Sequence, residues 1–341
     1  MIGSLLRNPV GFSKSYYEGG QIRNIKRAIL ILGWAVLSLA AGQQWFGPSP
    51  DLVNYLAYYN SITPYFDFAG SRFEYGFQFV AWIWVGLGLS YSSFFVTLAA
   101  FSLGIKFYLF DQYLSSPLLA AFSYVLAFYL LHEYTQIRSA VGISLALLGI
   151  HALIERRWLR FALFTIGGVL FHYSTVILPL IALASLRIEG RLAAALSALF
   201  LIAGSAALPM IQDLIVDTFS SLNPLTTAYV YNDQNAEVAN IFSFTSVMMV
   251  GIILVTLANP AVFHSKYNKA FFLMTLVSYI SLILLRDSLE LALRLRDALA
   301  VGTVFLVFRE PLTMRQLPLA LLWFLAAAYL YYTYSTTQVL I

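Results

Sequence analysis

Run after run of about twenty apolar residues is the feature that most constrains this chain, because a helix needs about that many to cross the hydrocarbon core of a bilayer. Such segments lie near residues 28–46, 73–90, 92–110, 117–131, 138–154, 161–186, 192–216, 241–258, 270–286, 291–308 and 317–334. Lipid offers no partner to backbone N–H and C=O groups, so these segments must satisfy them internally as helices. The prediction is an all-α polytopic membrane bundle of about ten or eleven apolar segments, one integral membrane domain over residues 1–341, with no soluble domain left over. Charged residues make up only 11% of the chain, where a soluble domain carries roughly 25%.

Composition excludes several chemistries. The chain has no cysteine, which removes disulfides, thiolate metal sites and cysteine nucleophiles. Its four histidines, His132, His151, His172 and His264, lack the spacing of a zinc site, so no metal is expected. The net charge of +4 comes from Lys and Arg in short turns between apolar runs. That pattern reads as the positive-inside rule and not as a nucleic-acid surface. A basic N-terminus, residues 1–27, precedes the first run and is predicted to be cytoplasmic.

Two connections are long, residues 47–72 and 217–240, and both are poor in Lys and Arg, so both are predicted to lie outside. Strict alternation then fails. The turns at Arg156, Arg157 and Arg160 and at Arg187 and Arg191 both ask to be cytoplasmic, although one apolar run lies between them. That run contains Gly167-Gly168, Phe171-His172-Tyr173 and Pro179, features of a broken or re-entrant helix. A second parity break is needed between Gly47 and Arg138, and the candidate is the glycine-interrupted run 73–91. One loop that violates the charge rule is the alternative.

Polar residues concentrate on the predicted outer face. They are Asp51, Asn54, Tyr55 and Tyr58; Arg72 and Glu74; His132, Glu133 and Arg138; and Arg286, Asp287, Glu290, Arg294 and Arg296. Asp51, Tyr55 and Tyr58 are spaced to share one helix face, which suits sugar binding by Tyr55 and Tyr58, with Glu290 as a further acceptor. An interfacial tyrosine belt accounts for the same residues. Arg138 opens an apolar helix, where its planar fork would grip phosphate oxygens, or else snorkel to the headgroups. Arg294 can pair with Glu290 at i−4 or Asp297 at i+3, and one acid cannot neutralise both Arg294 and Arg296. One of the two is therefore expected to be free for a ligand. His172 stands out because the adjacent break would line a cavity with unwound backbone. His151 and His264 neighbour basic turns and read as surface residues.

The order of these features resembles the EpsG family of exopolysaccharide polymerases, relatives of the Wzy-type O-antigen polymerases. The matching pieces are Asp51-Leu52-Val53-Asn54-Tyr55, Phe73-Glu74-Tyr75-Gly76-Phe77, Gln136-Ile137-Arg138-Ser139-Ala140-Val141-Gly142, Glu155-Arg156-Arg157, Phe171-His172-Tyr173-Ser174 and Leu293-Arg294-Leu295. The chain departs from the family pattern at Ser139, at Tyr75-Gly76 and at Asp297-Ala298.

The resemblance implies a GT-C-like glycosyltransferase without metal or cofactor in the bacterial inner membrane. It would polymerise undecaprenyl-diphosphate-linked oligosaccharide repeat units at the periplasmic face. The partners implied are those lipid-linked glycans, membrane lipid and a chain-length regulator. In this reading Arg138 and Arg294 bind diphosphate, Arg72 and Arg296 assist, and the base is His172, Asp51 or Glu74, in that order. An O-antigen ligase or other GT-C transferase, and a flippase or transporter of lipid-linked oligosaccharide, are the alternatives.

Overall fold

The computed structural model describes residues 20–63, 65, 71, 73–187, 243–259, 263–285, 289–311 and 316–339. Every described element is helical: α1 Gly20–Gly42, α2 Leu52–Ser61, α3 Tyr75–Gly86, α4 Tyr91–Tyr113, and α5 Pro117–Tyr124, which continues as a π-helix over Val125–Thr135. Then come α6 Ile137–Ile154, α7 Trp158–Phe171, a 3₁₀ turn Tyr173–Val176, α8 Ile177–Ser185, α9 Phe244–Leu257, α10 Lys266–Leu284, α11 Leu289–Phe308 and α12 Leu317–Val339. Among the described residues six helices are long and apolar enough to cross a membrane. The expected all-α polytopic bundle is thus what folds. The run 192–216 and the connection 217–240 lie outside the described residues, as do residues 1–19.

Helix starts follow local chemistry. Ser90, Ser243 and Ser265 cap α4, α9 and α10 by accepting from the backbone N–H three residues on, and Pro117 opens α5, where its missing N–H costs nothing. The outer face of α1 exposes Ile22, Ile25, Ile29, Leu32 and Val36. In water such a stripe would be a liability; against lipid tails it costs nothing.

Register between α1 and α4 fixes the path of the chain. Trp34 Nε1 donates to Ala100 O at 2.7 Å, and Arg27 pairs with Asp111 at 2.9 Å, so the two helices are antiparallel with the start of α4 beside the end of α1. The 48 residues between them therefore begin and end at the same end of the bundle. α3 has 12 residues, about 18 Å of helix, shorter than the roughly 30 Å hydrocarbon core.

Tyr113 OH bonds Glu155 at 2.9 Å and Ser115 N bonds Phe308 O at 3.0 Å at one end, hereafter the Arg157 end. At the other, the Arg138 end, Tyr134 OH donates to Gly47 O at 2.6 Å and accepts from Phe46 N at 2.7 Å. α10 and α11 are antiparallel, joined by Thr275–Thr303 at 3.0 Å and by Ser278 Oγ to Arg296 O at 2.7 Å. The Arg157 end carries Arg23, Lys26, Arg27, Arg156, Arg157, Arg160, Lys266, Lys269 and Arg309; the described cations of the Arg138 end are Arg138, Arg294 and Arg296.

The π-helix corrects one expectation. The apolar run 117–131 was read as ending before His132, with His132 and Glu133 at the outer face. The wider turn instead carries the span on to Thr135, closing with Gln136 N on Leu131 O at 2.8 Å, and it buries His132 at 1% and Glu133 at 2% exposure. π-turns inside helices are frequent at functional sites.

Candidate functional site

Three chain breaks meet at the Arg138 end. α7 stops at Phe171 because His172 is extended, with φ −161° and ψ 114°, while its N–H still reaches Gly168 O at 2.9 Å. The broken helix expected around His172 is therefore present. Glu74 is the extended residue that precedes α3, and Arg138 stands in the first turn of α6.

Two glycines let these breaks approach. A Cβ added at Gly76 would lie 2.8 Å from Leu170 O, so α3 starts directly against the end of α7. A Cβ at Gly142, one turn beyond Arg138, would lie 2.8 Å from Thr175 Cγ2, 3.0 Å from Gly168 O and 3.2 Å from His172 Cβ. Glycine at these points brings Glu74, Arg138 and His172 into contact.

Glu74 joins the other two. One carboxylate oxygen lies 2.8 Å from His172 Nδ1, and the other is ion-paired with Arg138 Nη1. Burial pushes the Glu74 carboxyl up, but the His172 hydrogen bond and the Arg138 charge outweigh it, and the carboxyl sits below its usual 4.5. The Glu74 side chain is 5% exposed, whereas Arg138 and His172 are each 16% exposed. The carboxylate thus lies beneath a partly exposed arginine and histidine. Arg138 Nε is buried without a hydrogen-bond partner among the described residues, a spare donor on the same fork.

An aromatic wall completes the site. The Arg138 guanidinium lies 4.7 Å from the Phe73 ring centroid and 5.8 Å from that of Tyr55, a cation–π arrangement that fixes the plane of the fork. The Tyr58 ring lies tilted at 57°, 4.7 Å from Phe73, and remains half-buried, and burial pushes its hydroxyl up to about 12, so it is a neutral phenol. Asp51 immediately precedes α2, half-exposed, with no side-chain cap bond.

Of the expected site residues, the structure brings together Glu74, Arg138 and His172, with Tyr55 and Tyr58 beside them. Tyr55 is 4% exposed and wedged among Phe73, Phe77 and Phe95. It builds the wall beneath the arginine and does not offer a face for a sugar, a correction to the expected role. Glu74 is already engaged on both oxygens, one by His172 and the other by Arg138. Arg296 is not free: Asp297 holds it at 2.7 Å, and Tyr334 OH bonds the same carboxylate at 2.8 Å. Asp297, one of the two acids within helical reach of Arg294, thus pairs with the adjacent Arg296. Arg294 lies two residues away at the same end of the bundle and also has partners. Arg72, Arg286, Asp287 and the side chain of Glu290 lie outside the described residues.

Two further corrections concern charge in the membrane. His151 is 3% exposed, its Nδ1 2.7 Å from Leu147 O and its ring against Tyr113, so it is a core residue and not a surface one. His264 is exposed, as expected. Lys106, which sequence reading passed over, is fully buried and ion-paired with Glu133. The signal was available: a lysine inside one apolar run and a glutamate at the edge of another each need a partner.

Comparison with known proteins places the chain. A family model described as the EpsG family matches residues 27–340. No curated protein matches, and no solved structure does.

Proposed function

The chain belongs to the EpsG family, a Wzy-like polymerase family, and on that premise we propose that it is a polysaccharide polymerase that joins undecaprenyl-diphosphate-linked oligosaccharide repeat units. The growing glycan is transferred from its lipid diphosphate to the sugar hydroxyl of a second lipid-linked unit. The observation that carries this reading is the contact of Glu74 with both His172 and Arg138 at a partly exposed break between three helices.

The chemistry follows from those atoms. With Nδ1 engaged by Glu74, the imidazole presents Nε2 as the base. A carboxylate behind a histidine fixes its tautomer and stabilises the imidazolium that forms. The acceptor oxygen attacks the anomeric carbon, its proton passes to His172, and the bond to the diphosphate oxygen breaks with its electron pair on the diphosphate. Arg138 matches the charge that develops there, and its rigid fork suits phosphate oxygens. Asp51 is half-exposed at the start of α2, and Tyr58 packs on Phe73, the ring next to Arg138, as an amphipathic ring for the sugar. Arg294 would meet a second diphosphate, that of the acceptor unit.

The side of the membrane follows from charge. The Arg157 end holds most of the described Lys and Arg, which supports a cytoplasmic assignment for it and a periplasmic one for the Arg138 end of an inner-membrane protein. The test is purified protein in detergent with lipid-linked repeat unit, resolved on a ladder gel. A ladder of lengthening glycans supports polymerisation. Transfer of single glycans to a lipid A acceptor would instead indicate a ligase, and movement across vesicles without lengthening would indicate a flippase.

A further inference from the structure

The first turns of α6 are held from two sides, and only one side is the candidate site. On the site side Gly142 packs against His172, Thr175 and Gly168. On the far side Lys106 Nζ, from the middle of α4, donates to Ala140 O at 3.2 Å and to Ser102 Oγ at 2.8 Å, and is ion-paired with Glu133 of the π-helix. Ser102 Oγ lies 3.0 Å from Ser144 Oγ and donates to Glu133 at 2.9 Å. Tyr124 OH closes the cluster, 2.8 Å and 2.9 Å from the two Glu133 oxygens, and lies 3.4 Å from His132 Nδ1. His132 in turn stacks on Phe128, with ring centroids 5.3 Å apart.

Lys106 and Glu133 have no exposed side-chain surface, so neither touches a substrate. Yet a lysine and a glutamate inside a bundle are costly to retain unless the pair specifies an arrangement. The arrangement it specifies is the meeting of α4, the π-helix and α6 at Ala140, two residues from Arg138 and two from Gly142.

We propose that Lys106 and Glu133 are positioning residues for the proposed transfer, an ion-paired clamp that sets the height and rotation of the first turns of α6 and so holds Arg138 and His172 in register. The clamp deepens the polymerase reading and rests on it. The π-turn contributes by carrying Glu133 inward to the lysine. Misplacing a charged group by about 1 Å can lower a rate about a hundredfold without altering the groups themselves.

The test compares wild type, Lys106→Met and the double variant Lys106→Met with Glu133→Gln, each purified from membranes. Two readouts apply: hydrogen exchange of the amides 137–144, and the kinetics of elongation with lipid-linked repeat unit. Removing one partner of a buried pair strands a charge, and removing both does not, so the double variant should insert and melt close to wild type where the single variant does not. In the double variant the clamp predicts faster exchange at 137–144 with α10 and α11 unchanged, and kcat about a hundredfold lower with KM little altered. Unchanged local exchange overturns the proposal, as does exchange that rises throughout the bundle, which marks a merely structural pair. Wild-type kcat with loosened amides overturns it too. Should wild type itself make no polymer, the polymerase reading fails, and the local exchange alone then decides whether the clamp exists.

Discussion

Glu74 and His172 are 98 positions apart in the chain, yet a Glu74 oxygen lies 2.8 Å from His172 Nδ1. The contact exists because α3 begins where α7 ends, with Gly76 against the carbonyl of Leu170. It backs a histidine in an apolar run with a carboxylate, and it couples that imidazole to Arg138 through the second oxygen of the same carboxylate.

If the two residues act as one unit, their loss is not additive. Glu74→Gln keeps a hydrogen-bond acceptor for Nδ1 but removes the charge that stabilises the imidazolium, and elongation should fall about a hundredfold or more. The double variant of Glu74→Gln with His172→Ala should be no slower than His172→Ala alone. Steady-state elongation rates for the three proteins check this; multiplied losses would dissolve the unit.

Arg138→Lys keeps a positive charge but loses the fork and the flat face that rests on Phe73. Affinity for undecaprenyl diphosphate should weaken by about tenfold to a hundredfold, the order expected for losing one arm of a bidentate charged contact. Titration of purified protein with the lipid measures it.

Gly142→Val pushes a side chain into Thr175, Gly168 O and His172. Overpacking of this kind costs about 1–3 kcal/mol, and here the cost falls on the His172 break. The variant should melt at lower temperature and elongate poorly. Gly86→Ala, where an added Cβ meets nothing within 4 Å, is the control and should do neither.

Acid should dissolve the site in a defined direction. The Glu74 carboxyl sits below its usual 4.5 in the folded chain, so the folded state binds fewer protons there than the unfolded one. Its contribution to stability is fully present above about pH 4.5 and is lost as pH falls through the lower folded value. Thermal melts across that window should show wild type weakening as pH drops and Glu74→Gln with a flatter profile.

Much of this was legible in the sequence for physical reasons. Apolar run length dictates spans, and the distribution of Lys and Arg made the run 73–91 the candidate for a parity break, with one loop that violates the charge rule as the alternative; the pairing of Arg27 with Asp111 sets α1 and α4 antiparallel, so the chain between them returns to the end it left. Gly167-Gly168 before His172 announced the break. What escaped was pairing. The meeting of Glu74 with His172, and of Lys106 with Glu133, depends on which helices become neighbours, and no local period encodes that. Asp297 pairs with Arg296 and accepts from the Tyr334 hydroxyl of a distant helix, a contact that spacing along α11 does not announce. The π-turn moved Glu133 from an expected surface to the interior because its larger number of residues per turn shifts which residues face in.

The most direct test of the account's central claim compares wild type with Arg138→Ala, both shown to be inserted normally in the membrane and purified, in elongation of lipid-linked repeat unit on a ladder gel. Wild type should build a ladder, and Arg138→Ala should leave the substrate at unit length. A full ladder from normally inserted Arg138→Ala protein would contradict a glycosyl-transfer site built on Glu74, Arg138 and His172.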